Sequence, residues 1–237
     1  MSAEGKGVTV AVPVPWRWWD AVIVFILAQV ATAALLAVIA GGAGQRAVLP
    51  LAVALTHPTL IALTLLWVRS RAPHQLGRIL GPVRAHSRDL LVGAGAGLGA
   101  FVLANLALGS IIQLIVGRAG SELPAVQEGL QEALRDPVAG LTVAGAAVLL
   151  APIGEELFFR GLLFQALRRS LRLWPAIVVS GLAFGLSHLE LLAFVLLFPV
   201  GMYFAWLFHR RGSLLVPVAA HATFNLVGVA LLRLGSS

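Results

Sequence analysis

An all-α, polytopic transmembrane bundle of about seven to eight spans is the fold this chain of 237 residues predicts. Hydrophobic residues make up 59% of it and charged residues 11%, where a soluble domain of similar length carries about a quarter charged. The apolar residues form long continuous runs without the period-2 alternation of a barrel strand. Lipid offers backbone N–H and C=O groups no partners, so such runs are read as helices, each needing about 20 residues to cross a hydrocarbon core of about 30 Å.

The first fifteen residues are polar to mixed, with two prolines, and "WRWW" (16–19) then supplies an aromatic and basic anchor for a membrane interface. Apolar segments follow at 18–40, 49–68, 90–117, 138–167, 174–189, 191–208 and 213–234, which makes about seven crossings. The first also has features of a cleavable signal, with Arg17 before it and small residues near its end, but it is as long as a full span.

Charge sets the orientation. The link at 69–88 holds Arg69, Arg71, Arg78, Arg84 and Arg88, that at 168–172 holds Arg168, Arg169 and Arg172, and Arg210 and Arg211 follow the sixth segment. The link at 118–137 is instead acidic, with Glu122, Glu128, Glu132 and Asp136. Placing the basic links in the cytoplasm gives a consistent alternation, with the N-terminus inside. The formal net charge of +7 is thereby explained by topology and anionic headgroups, and nucleic acid is not an expected partner. With no cysteine, disulfides, thiol catalysis and thiolate metal sites are excluded.

Two stretches resemble motifs and have plainer readings. "GAGAGLGA" (93–100) lacks the preceding strand of a dinucleotide site, so Gly93, Gly97 and Gly95, Gly99 are read as small-xxx-small pairs that let helices approach. "AVQEGLQEAL" (125–134) is read as a short amphipathic connector on the outer surface. One integral membrane domain, 1–237, is expected throughout, with a motif-bearing core over 138–234.

Ionisable side chains inside a span cost about 2.5–3.5 kcal/mol each on insertion scales, so "GEELFFRGLLFQ" (154–165) demands a reason. Neighbouring helical residues point about 100° apart, so Glu155 and Glu156 face different ways. Glu156 and Arg160 are spaced i, i+4 and suit an ion pair, which is also their purely structural reading; Glu155 has no local partner. "AFGLSHLE" puts Phe184 and His188 one turn apart, and "HATFN" does the same for His221 and Asn225. Counted at about 1.5 Å per residue from the basic ends, these groups reach compatible depths, so Glu155, His188, His221 and Asn225 can form one buried cluster. Pro152 beside Gly154 is expected to kink the fourth helix and open space there.

A carboxylate can deprotonate water, an imidazole can orient that water or bind a metal, and a histidine with an amide can donate to an oxyanion. Hydrolysis is the leading chemistry. No G-x-S-x-G elbow is present. Read blandly, His221 and Asn225 are interhelical hydrogen-bonding groups, His188 is an interfacial histidine, His57, Asn105 and Gln113 are packing and kink features, and His74, His86 and His209 are solvated in basic links.

Taken together, "EELFFR" (155–160), "FGLSH" (184–188) and "HATFN" (221–225) resemble, in order and spacing, the motifs of the CPBP intramembrane proteases, also called the ABI family. That family includes type II CAAX prenyl endopeptidases and bacterial bacteriocin-processing or self-immunity proteins. The resemblance implies Glu155 as general base, His188 as its partner in holding the attacking water, His221 and Asn225 as oxyanion donors, and Glu156, Arg160 and Phe184 as residues that order the site. It also raises a zinc site of Glu155, His188 and His221 with an open position for water. The substrate expected is a membrane-associated peptide or protein, and the location a bacterial plasma membrane. A proton-coupled transporter and a non-catalytic scaffold or immunity protein are the competing classes.

Overall fold

The computed structural model describes residues 13–40, 45–73, 77, 87–105, 110 and 132–235. Gln113, His74, His86, Arg78, Arg84 and most of the 125–134 connector lie outside these. Seven long helices account for most of the described residues: α1 (Trp18–Ala40), α2 (Gln45–Arg71), α3 (Ser87–Val102), α4 (Pro137–Ser170), α5 (Leu173–Leu186), α6 (Leu191–Arg211) and α7 (Leu215–Gly235). No strand occurs among the described residues. By length and apolarity α1, α2, α4, α6 and α7 each suffice to cross a bilayer, so the protein is an integral membrane protein.

Local chemistry sets the helix ends. Before α1, Asp20 accepts from the Arg17 N–H at 2.7 Å, as an acidic residue in the first turn of a helix should. At α4, Asp136 accepts from Val138 and Ala139 N–H at 2.9 and 2.8 Å, and Pro137, which lacks an N–H, stands where no intrahelical bond is lost. α6 ends on Gly212 in the left-handed region, φ 64°.

The "WRWW" anchor divides in two. Trp18 and Trp19 are exposed, with Arg17 stacked over Trp19 at 4.7 Å. Trp16 is fully buried instead, and its indole N–H donates to Leu162 O at 3.0 Å. That bond ties the N-terminal segment to α4.

Pairs of helices meet where glycine lets their backbones touch. A Cβ on Gly93 would lie 2.6 Å from Val216 O, and one on Gly97 would collide with Ala220 O, so α3 rests directly on α7. Gly95 and Gly99 have nothing within 4 Å of such an atom, so only one of the two expected small-residue pairs does this work. α5 and α6 repeat the device: a Cβ on Gly181 would lie 2.9 Å from Phe198 O, and one on Gly201 would crowd the Phe184 side chain.

α4 is helical on both sides of Pro152. Two stretches of it, Ala146–Leu150 and Leu157–Phe164, are π-helical, flanked by α-helical turns. The Ala151 N–H donates to Ala146 O, five residues back. In that register Ala147 O would pair with residue 152, a proline with no N–H to give. The π turn thus absorbs the proline and leaves one carbonyl free about two turns before the glutamates.

Candidate active site

Behind the site, Glu156 and Arg160 are fully buried on α4. Arg160 Nη1 donates to Glu156 Oε1 at 2.9 Å and Nη2 donates to Gly201 O of α6 at 2.9 Å. The guanidinium lies 4.8 Å from the Phe184 ring, with the Phe204 and Phe159 rings at 5.6 and 5.8 Å. A cation enclosed by a carboxylate, a carbonyl and three aromatic faces has its charge answered on each of those sides.

Glu156 Oε1 also lies 3.0 Å from His221 Nδ1, across from α7. As a carboxylate it only accepts, so the bond carries its proton on His221 Nδ1. The opposite nitrogen, Nε2, is 4.0 Å from Glu155 Oε2. Glu155 and Glu156 do face different ways: one is held inside by Arg160, and the other reaches the site with 14% of its side chain exposed. Glu155 Oε2 is buried and finds no hydrogen-bond partner among the described residues.

Asn225, one turn after His221, donates through Nδ2 to Ala147 O at 2.8 Å. This is the carbonyl that Pro152 leaves without an N–H. The contact fixes the amide and joins α7 to α4, while the second amide N–H is not used by it.

His188 stands apart from Glu155. α5 ends at Leu186, so His188 follows the helix, and its Nδ1 lies 3.0 Å from Phe184 O, which also accepts from Ser187 Oγ at 2.7 Å. These contacts satisfy a carbonyl at the helix end. Phe184 sits between the two histidines, its ring centroid 5.3 Å from His188 and 5.6 Å from His221. Leu189, next in the chain, has φ 56°, a left-handed conformation that disfavours a branched side chain.

One residue read as a packing feature faces the site. His57, on α2, places Nδ1 3.8 Å from Glu155 Oε1. Gly154 makes the approach possible, because a Cβ there would lie 3.3 Å from His57 O and 3.6 Å from His57 Cβ. The available signal was an ionisable side chain in an apolar span, beside a proline. Asn105, by contrast, donates to Phe101 O within its own segment, and His209 lies in the last turn of α6.

A two-histidine, one-carboxylate zinc site needs three donors converging at about 2.0–2.2 Å. Among the described residues no group of three or more His, Cys, Asp or Glu side chains is so arranged. His57 and His221 approach different oxygens of Glu155, and His188 Nδ1 faces a backbone carbonyl. The donors as placed do not fit the metal, and the chemistry below uses the side chains alone.

A groove of about 600 Å³ runs between α1, α4 and α5, lined almost wholly by apolar side chains including Phe25, Phe158, Phe159 and Leu186. Phe159 packs edge-on against Phe184 at 5.2 Å, which sets the groove behind the aromatic wall of the site.

Residues 137–227 match the family model described as Rce1-like, type II CAAX prenyl endopeptidase. The matched region contains all three motifs, and with them Glu155, His188, His221 and Asn225. Over 77 residues the chain is 34% identical to the Bacillus subtilis (strain 168) protein named "Putative membrane peptidase YdiL", a match covering 32% of this chain and 32% of that protein. The chain thus matches about a third of that relative's length. No solved structure matches. The resemblance read from the motifs is supported by both comparisons.

Proposed function

We propose that this protein is an intramembrane endopeptidase that hydrolyses a peptide bond by water activation. The observation that carries the reading is Glu155 Oε2, buried, without a hydrogen-bond partner among the described residues and 4.0 Å from a histidine nitrogen that Glu156 turns toward it. A water about 2.8 Å from both atoms would subtend an angle of about 90° between them, compatible with donating one proton to each.

In this mechanism Glu155 takes a proton from the water as its oxygen bonds to the scissile carbonyl carbon. The neutral His221 Nε2 accepts the water's other hydrogen and orients the attack. Asn225, held by Ala147 O, offers its second amide N–H to the oxyanion of the tetrahedral intermediate. As the C–N bond breaks, Glu155 returns its proton to the leaving amine. A carboxylic acid and an amine result, and both protons of the water are accounted for. His188 lies across the Phe184 ring from His221, with its Nδ1 on Phe184 O, and has no part in this step.

The substrate class is a membrane-associated peptide or protein, and the prenylated CAAX-type tail named by the family description is one member to assay. The apolar groove suits a lipid-embedded flank of such a substrate. The setting proposed is a bacterial plasma membrane, with basic links and N-terminus on the cytoplasmic side.

The test is cleavage of membrane peptides, prenylated and unmodified, by purified wild type and Glu155→Gln in vesicles, read by mass spectrometry. Loss of about a thousandfold or more in the variant, with folding intact, is expected for removal of the base. Cleavage retained in the variant overturns the assignment. Proton flux without cleavage would mark a transporter instead.

A further inference from the structure

We propose that His57 is a positioning residue for Glu155, completing a three-helix site in which each carboxylate oxygen faces its own imidazole. The inference rests on the endopeptidase reading for its kinetic consequence, though not for its geometry. Glu155 Oε1 is 3.8 Å from His57 Nδ1 on α2, and Glu155 Oε2 is 4.0 Å from His221 Nε2 on α7.

Three observations separate His57 from an ordinary core histidine. Its Nδ1 is buried and has no hydrogen-bond partner among the described residues, so it is a polar atom left facing that carboxylate. The α2 backbone is brought against α4 at this level by Gly154, directly before Glu155; any side chain there would crowd His57 O and the Ile61 side chain. Finally, the separation exceeds a hydrogen bond by only a few tenths of an ångström, a looseness common in a site without substrate.

The physical role follows from the carboxylate's freedom. A glutamate end group turns broadly about its last torsion, so an unheld carboxylate spreads its lone pairs over many directions. An N–H donated by His57 to Oε1 fixes the plane of the group and leaves Oε2, beside His221, as the oxygen that receives the proton. No proton passes through His57. It acts through Glu155, as outer partners orient the ligands and bases they touch.

The experiment compares His57→Leu, which removes the donor, with His57→Asn, whose amide nitrogen can occupy the place of Nδ1. With a peptide the wild type cleaves, kcat should fall about 10- to 100-fold in the Leu variant while KM stays within about twofold. The Asn variant should recover to within about fivefold. In parallel, the Glu155 carboxylate band is isolated as the infrared difference between each protein and its Glu155→Gln counterpart. It should shift in the Leu variant and keep its wild-type position in the Asn variant. A Leu variant with wild-type kcat and an unshifted band overturns the proposal, and so does an Asn variant as impaired as Leu, which would make the ring a packing element. If the wild type cleaves no peptide, the endopeptidase reading fails while the infrared comparison still decides whether His57 holds the carboxylate.

Discussion

His221 Nδ1 lies 3.0 Å from Glu156 Oε1, a contact between residues 65 positions apart that fixes which face of the imidazole meets Glu155. The same Glu156 oxygen takes the Arg160 hydrogen bond, so the ion pair within α4 and the orientation of α7's histidine share one atom. Glu156 and Arg160 are therefore more than ballast for each other.

Breaking that pair from one side should cost more than removing both. Arg160→Met leaves Glu156 buried without its counter-ion, and about 3–5 kcal/mol of stability should be lost. The double variant Glu156→Gln, Arg160→Met should regain a large part of this and still be inactive, because His221 has lost its carboxylate. Unfolding in detergent micelles and peptide cleavage measure the two effects, and a double variant no more stable than Arg160→Met would contradict the account.

Asn225 couples stability to rate through one amide. Asn225→Ala leaves Ala147 O unanswered beside Pro152, at about 1–3 kcal/mol, and removes an oxyanion donor worth about 10²–10³ in kcat. Pro152→Ala restores an N–H at position 152, so in that background the stability cost should shrink while the loss of rate persists. Equal stability costs in both backgrounds would break the link between the proline and the amide.

The two glycine pairs of α3 should respond oppositely. Gly97→Val drives a side chain into Ala220 and should prevent assembly of α3 against α7, whereas Gly95→Val points into open space and should be tolerated. Yield of folded protein by size exclusion is sufficient to tell. Similar losses for both would mean the helix is rotated from the orientation described.

Chelation offers a further check on the chemistry. With His57 and His221 on different oxygens of Glu155, and no three-donor cluster among the described residues, cleavage should be unchanged by a strong chelator. Activity lost on chelation and restored by zinc would require the donors to converge in a way the present geometry does not have.

Much of the fold was legible because lipid leaves so few choices. Six of the seven apolar runs coincide closely with helices, although α5 stops at Leu186 rather than running through His188; of the third run, 90–117, only the first part lies among the described residues, as α3. Depth arithmetic along three helices gave Glu155, His188, His221 and Asn225 compatible depths, since helical rise is nearly constant. Rotation was harder. Which carboxylate His221 would touch, and whether His188 would face Glu155 or the end of its own helix, depend on packing angles that no local pattern encodes. The π register of α4 was likewise invisible: Pro152 pointed to a kink, and nothing in its sequence surroundings announced the shifted hydrogen-bond ladder that Asn225 of α7 caps. His57 was missed for a related reason, because its role comes from Gly154 on another helix and not from its own surroundings in sequence.

Complete enclosure of Arg160 also bears on how the protein is made. While α4 stands alone in the bilayer its guanidinium has Glu156 but neither the Gly201 carbonyl nor the Phe184 and Phe204 rings, all of which belong to helices synthesised later. Stable insertion of α4 therefore waits on the α5–α6 hairpin. The newly made chain must shelter its arginine, at the insertion machinery or near the lipid surface, until those helices arrive, so biogenesis of the second half is a concerted event and not a helix-by-helix one.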